Sequence, residues 1–259
     1  MGRILGANGL PFPRNYAILF LLSGGSLLVS LTAMSFLRER VQEPPPGFRM
    51  EEHFFRRLWS VLRTNRQFRR VIGVRLLFGL GGMAVPFCMI YGIDVLELPP
   101  ETVGLATSMQ VLGSILAGVV LGYIQERSGS RLVVLCSTAL GLGVPLLALL
   151  TQILALQGVA FPLLTAVYAS IFVTIGMVNS SIMLGFLNFV MELAPPHENP
   201  TYVGLFNAFT GILLLIPMAG GWLLEATSYT VLFTLAAVGA GLGLVMAFRL
   251  QEPRQTSNK

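Results

Sequence analysis

The sequence is short of charge. Only 11% of its 259 residues are Asp, Glu, Lys or Arg, while 54% are hydrophobic. Soluble domains carry about 25% charged residues, so a compact soluble fold could not cover its own surface here. That excludes most soluble enzymes and every disordered class. Lysine is almost absent: Lys259 is the only one, and the other sixteen basic residues are Arg. Cysteine and histidine are equally scarce. Cys88 and Cys136 lie inside apolar runs and read as small buried hydrophobes, not as a disulfide or metal pair. His53 and His197 are far apart with no ligand cluster near either, so no metal or cofactor is expected.

What remains is long apolar runs. Seven are long enough to cross a bilayer, roughly Tyr16–Leu37, Val71–Leu96, Thr102–Ile124, Leu132–Leu154, Phe161–Met191, Tyr202–Leu224 and Thr230–Phe248. Each must be a helix, because every backbone polar group in lipid needs an internal partner. The fold class expected is therefore an all-α integral membrane protein with seven transmembrane helices. Breakers separate the runs: Pro99-Pro100, Ser128-Gly129, Gly158 and Pro195-Pro196. Pro86, Pro145, Pro162 and Pro217 are expected to bend helices. The first run is too long for a signal-peptide core, and no small-residue cleavage site follows it. Met1-Gly2 is no myristoylation start, since Gly6 stands where Ser or Thr is required.

The net charge of +5 is distributed unevenly. Arg3 and Arg14 precede the first span. Fourteen basic residues fall on the other side, in the segment after span one, at Arg127 and Arg131, and in the tail. The side with fourteen is expected to be cytoplasmic, which puts the N-terminus outside and the C-terminus inside a plasma (inner) membrane. This topology explains the arginines without a nucleic-acid partner. Three parts are expected: residues 1–40 with the first helix, a basic loop over 41–70, and a six-helix bundle over 71–259. Within the loop, residues 51–69 read as an amphipathic helix with Phe54, Phe55, Leu58, Trp59 and Leu62 on one face. It is either an interfacial helix on anionic membrane lipid or a plain positive-inside linker.

The most specific motif lies between spans three and four: Gly122-Tyr123-Ile124-Gln125-Glu126-Arg127-Ser128-Gly129-Ser130-Arg131. Gly122, with Gly118 one GxxxG step earlier, suits close helix approach. Gly129 suits a tight turn. Glu126 at a helix end can pair with Arg or a helix N-terminus. A charge latch of this kind can hold one conformation and release another.

These residues resemble the loop signature of the major facilitator superfamily, in which Gly, an acidic residue, Arg, Gly and Arg recur at this spacing. Gly122, Arg127, Gly129 and Arg131 match, Glu126 replaces an Asp, and Ser130 stands where an Arg is usual. Val103-Gly104, the stretch Glu192-Leu193-Ala194-Pro195 with Tyr202-Val203-Gly204, and the ending Glu252-Pro253-Arg254 extend the likeness over nearly the whole chain. The resemblance implies that the seven spans correspond to helices six to twelve of a twelve-helix transporter, six of them forming one half bundle. It implies alternating-access transport of a small solute, with an N-terminal half absent from the chain or replaced by a homodimer partner. Spans two, three, five and six would then surround the cavity. Arg75, Gln110, Asn179, Asn188 and Asn207 lie in those four, whereas spans one, four and seven have no central charge or amide.

Two polar stripes carry the cavity candidates: Thr107, Gln110 and Ser114 on span three, and Ser170, Thr174, Ser181 and Asn188 on span five. They are either cavity lining or interhelical hydrogen-bond glue. Arg75, about one turn inside its run, is a solute ligand or snorkels to the surface. Asn188 and Asn207 are candidate cytoplasmic gate residues. The alternatives to a transporter are a seven-helix receptor and an intramembrane enzyme. A retinal pigment would need Lys in its last span, and none is there. An enzyme would need a dyad or paired carboxylates within a span, and no span holds His or such a pair.

Overall fold

The computed structural model describes residues 14–36, 60–99, 102–195 and 198–253. The chain divides into two compact units, Met1–Phe54 and Phe55–Lys259. The first contains α1 (Arg14–Ser35), whose apolar stretch runs over Phe20–Ser35. Its hydroxyls return to its own backbone: Ser26 donates to the Leu22 carbonyl and Thr32 to that of Leu28. Such back-bonding lets polar residues sit in an apolar helix at little cost.

The second unit is a bundle of six helices, each long and apolar enough to cross a membrane: α2 (Arg66–Asp94), α3 (Thr102–Ser128), α4 (Ser130–Leu156), α5 (Phe161–Leu193), α6 (Asn199–Ala226) and α7 (Tyr229–Ala247). They fall on the second to seventh of the seven apolar runs, in the same order. The chain is an all-α membrane protein, with no strand among the described residues. Turns fall at the expected breakers. Gly158 closes α4 with φ 64°, and Gly129 joins α3 to α4 with φ 85°.

The expected amphipathic helix over 51–69 is corrected. Residues 51–59 lie outside the described residues. Residues 60–64 are helical, but Asn65 stops them with an extended φ of −89° and ψ of 96°. Its Oδ1 accepts from the Phe68 amide at 3.0 Å, which starts α2 at Arg66, five residues before the apolar run. Asparagine competes for backbone amides in this way, so a periodic pattern can be cut without losing periodicity. Val61 and Leu62 pack into the bundle core instead of facing lipid.

Four prolines were expected to bend helices, and they act differently. Pro86 and Pro217 follow 3-10 segments, Gly81–Ala84 in α2 and Gly211–Leu215 in α6. Each removes the amide that would have bonded back one turn. Pro145 sits inside α4 without interrupting it. Pro162 lies in the first turn of α5, where amides are unpaired in any case, so it begins that helix instead of bending it.

Two large apolar cores stack along the bundle, beside a smaller cluster of Ala117, Leu121 and Val133. One, at the basic end, contains Phe68, Phe78, Phe186, Tyr202 and Phe206; Phe78 and Phe186 stack with centroids 5.6 Å apart. The other, at the opposite end, contains Tyr91, Tyr168, Phe172 and Phe233. Tyr168 donates to the Cys88 carbonyl at 3.2 Å, which ties α5 to α2. Cys88 is buried and Cys136 half-buried, both as free thiols.

The closest helix pair is α3 with α5. A methyl group on Gly113 would lie 2.0 Å from the Val173 carbonyl oxygen, and one on Gly176 1.9 Å from that of Gln110. Ser114 Oγ reaches the Gly176 carbonyl at 3.0 Å, and Ser180 Oγ the Ser114 carbonyl at 2.9 Å. This is small-residue packing with hydrogen-bond glue. It falls on Gly113 and Gly176, not on the Gly118–Gly122 step. Nothing lies within 4 Å of a methyl placed on Gly118 or Gly122.

Candidate functional site

A cleft of about 230 Å³ opens between the two cores. Three helices lose α-helical regularity where they border it. The 3-10 segment of α2 contributes Gly81 and Gly82, and that of α6 contributes Leu213 and Leu214. The π-helical segment Ile182–Leu187 of α5 contributes Ile182. Irregular backbone at membrane depth is tolerated where it is packed in protein or lines a water-filled path. Segments of this type also mark hinges.

The polar groups in the lining are Arg75, Asn179 and Thr210. Arg75 is nine residues into α2, about 13 Å along its axis at ~1.5 Å per residue. Because Asn65 starts the helix early, Arg75 lies further from the helix start than the apolar run indicated. Its guanidinium lies 5.4 Å from the Phe78 ring centroid and 5.6 Å from that of Phe186. Among the described residues no carboxylate lines the cleft. Asn179 is exposed at the mouth. Thr210, which the stripe reading passed over, donates to the Phe206 carbonyl at 2.8 Å. Its neighbour Gly211 begins the 3-10 segment ahead of Pro217, and that breaker pair was the signal available.

Other cavity candidates lie elsewhere. Gln110 is half-buried on α3, with its carbonyl against Gly176. Thr174 donates to the Ser170 carbonyl at 2.8 Å. Ser181 is fully buried, donates to the Val178 carbonyl, and its own carbonyl accepts from Ser137. None of the three borders the cleft. On α5 the hydroxyl stripe satisfies backbone within and between helices, which is the glue reading. Span three was expected in the cavity wall. No α3 residue borders this cleft, and α4 contributes Gly141 and Val144 to its wall. Asn188 is half-buried where α5 resumes after its π segment. Asn207 is exposed on α6, and neither lines the cleft.

At the basic end the loop motif forms a junction. Gly129 adopts φ 85° and ψ 173°, conformations open to glycine, and so starts α4. The Glu252 carboxylate, beyond α7, accepts from the Arg131 amide at 3.1 Å. It sits against Gly129, where a methyl would meet it at 2.5 Å. Anions at a helix N-terminus are favoured by its free amides and dipole. A second carboxylate, Glu192 near the end of α5, accepts from the Ser130 hydroxyl at 2.6 Å. Ser130, which departs from the usual Arg, is fully buried and belongs to this network. Arg131 also donates to the Phe248 carbonyl at 3.3 Å, and Arg70 to that of Arg249 at 3.2 Å. These bonds hold the end of α7 against α4 and α2. Arg127 is exposed and lies 4.5 Å over the Tyr123 ring. Glu126 is exposed at the end of α3, and Gly122 is half-buried one turn earlier.

Replacing Ser130 with alanine should cost about 1.5–3 kcal/mol, the range for a hydrogen bond to a charged group. Thermal unfolding of the purified chain in detergent reads it. A change below ~0.5 kcal/mol would mean that the Ser130–Glu192 contact holds nothing.

The family model described as Major Facilitator Superfamily matches residues 4–213 and 90–259, which together span nearly all of the chain. The chain belongs to the major facilitator superfamily. No curated protein matches it. Membership makes this an integral membrane protein of a transporter family. The superfamily assignment agrees with the loop Gly122–Arg131.

Proposed function

We propose that this major facilitator protein carries a small solute by alternating access, with the Arg75 cleft as its solute site. The observation that carries the reading is the coincidence of three irregular segments, in α2, α5 and α6, around one cleft inside the bundle. A bundle in which three of the four helices bordering a cavity soften there can reshape that cavity without unfolding. Discontinuous helices around a membrane-depth site are the usual build of a transporter.

In this reading α2–α7 form one half of the transporter and correspond to helices seven to twelve, with α1 as helix six. The basic end faces the cytoplasm of the plasma (inner) membrane and the N-terminus lies outside. The Gly122–Arg131 loop, with Glu126 and Arg127, is the latch that favours one state, and Asn188 and Asn207 lie at the gate. A second bundle, from another chain or a second copy, completes the solute path. Its seat is the face of α3 and α6, the two least buried spans. That face carries large exposed side chains such as Val119, Leu214 and Trp222. A seven-helix receptor has no observation of equal weight behind it.

The test is uptake by proteoliposomes containing the full chain, against a panel of small anionic, neutral and cationic solutes. Saturable uptake of at least one class is expected when a second bundle is present. Glu126→Ala and Arg127→Ala should each slow it severalfold while leaving membrane insertion intact. Uptake indifferent to both changes would sink the latch, and no saturable uptake of any class would sink the transport reading.

A further inference from the structure

We propose that the solute is a small amphipathic organic anion, bound with its carboxylate or equivalent acid group on Arg75. The inference deepens the transport reading, and it rests on that reading for the site's role.

The first argument is charge. Arg75 brings a full positive charge into a cleft within a membrane-spanning bundle, where an ion without a counter-charge is costly. Among the described residues nothing neutralises it. The rings of Phe78 and Phe186, at 5.4 and 5.6 Å, offset part of the cost. An anion would supply the rest.

The second argument is geometry. Guanidinium presents a planar fork that matches a carboxylate through two parallel hydrogen bonds. Among the described residues the lining holds one cation, so a single negative charge is matched and a dianion is not. Around it Asn179 can donate or accept. The Thr210 oxygen remains an acceptor, because its proton is given to Phe206. These two groups suit a neutral hydroxyl or amide of the solute.

The third argument is the remaining wall. Val85, Val144, Val178, Ile182, Leu213 and Pro217 are apolar, so the solute carries an apolar body. The volume sets its size. About 230 Å³ is below the ~300–1,000 Å³ of pockets that hold drug-sized ligands, which suits a small acid and not a lipid chain or a peptide.

The test is equilibrium binding of radiolabelled benzoate and of benzamide, its neutral isostere, to the purified full chain in phosphatidylcholine nanodiscs. Benzoate is expected to bind at least tenfold more tightly. Arg75→Gln should abolish that preference with little effect on benzamide, and Arg75→Lys should retain part of it. Equal binding of the two probes, or saturable binding of neither, overturns the proposal on the unmodified chain, whether or not the variants fold. Benzoate preference that survives Arg75→Gln overturns it as well. A parallel set with phosphatidylglycerol discs separates the sources of the anion. If that lipid alone displaces benzoate, the site belongs to a headgroup and the soluble-solute proposal fails. Benzoate preference without uptake in proteoliposomes would leave this inference standing and remove transport. Saturable uptake of neutral or cationic solutes, with no acid preference, would do the reverse.

Discussion

Gly176→Ala should loosen the bundle strongly. The new methyl would sit 1.9 Å from the Gln110 carbonyl oxygen and 2.9 Å from the Ser114 amide nitrogen, both backbone atoms of α3. No side-chain rotation relieves that contact, so the two helices must part. Overpacking of this kind costs about 1–3 kcal/mol. Separation also stretches the Ser114–Gly176 and Ser180–Ser114 hydrogen bonds, each worth ~0.6–2 kcal/mol in a membrane bundle. The expected drop in melting temperature in detergent is roughly 5–10 °C, at ~2–4 °C per kcal/mol for a chain of this size. Gly118→Ala is the control. Nothing lies within 4 Å of its added methyl, and its melting should change by less than about 0.5 kcal/mol in free-energy terms. Equal effects at both glycines would refute the α3–α5 contact.

The second large effect is expected at Gly129. Its φ of 85° with ψ of 173° falls where other residues are strained by about 1–3 kcal/mol. Alanine there also meets the Glu252 carboxylate at 2.5 Å and drives it off the Arg131 amide. Gly129→Ala should therefore cost about 2–4 kcal/mol, combining the strain with a lost helix cap. Glu252→Ala alone should cost ~1 kcal/mol, the capping share. The double variant should cost less than the sum, because the clash vanishes and the cap is counted once. Strict additivity in unfolding measurements would show that Glu252 does not sit over the turn.

These two glycines illustrate what could be read from residues and what could not. Gly129 was legible, because a loop this short between two long apolar runs demands a residue free to adopt positive φ. Gly176 was not, because its importance depends on α3 lying against it. The GxxxG step at Gly118 and Gly122 had the better local signature and faces open space. The stripes on α3 and α5 do not border the cleft, for a related reason. A hydroxyl in lipid must bond somewhere, and the carbonyl one turn back is always within reach. Thr174 and Ser181 take that partner, so their spacing carries no information about a cavity. Arg75 was legible as an intramembrane charge, but its distance from the helix start was not. The apolar run began at Val71, whereas Asn65 began the helix at Arg66.

By itself the sequence determined that this chain lives in a membrane, where its long apolar helices lie, which end carries the arginines and where the tight turn falls. All of these follow from hydropathy, charge and backbone freedom, which are properties of a residue and its near neighbours along the chain. Only the tertiary structure decided which polar groups share the cleft, why α4 and not α3 completes its wall, and that Ser130 and Arg131 are tied to carboxylates on α5 and beyond α7. A cavity is made by packing between segments far apart in sequence, and a helix of 3.6 residues per turn can present any of several faces to it. Composition does not choose among those faces. The close approach of Gly113 and Gly176, and the loss of α-helical geometry at the same cleft in α2, α5 and α6, do choose.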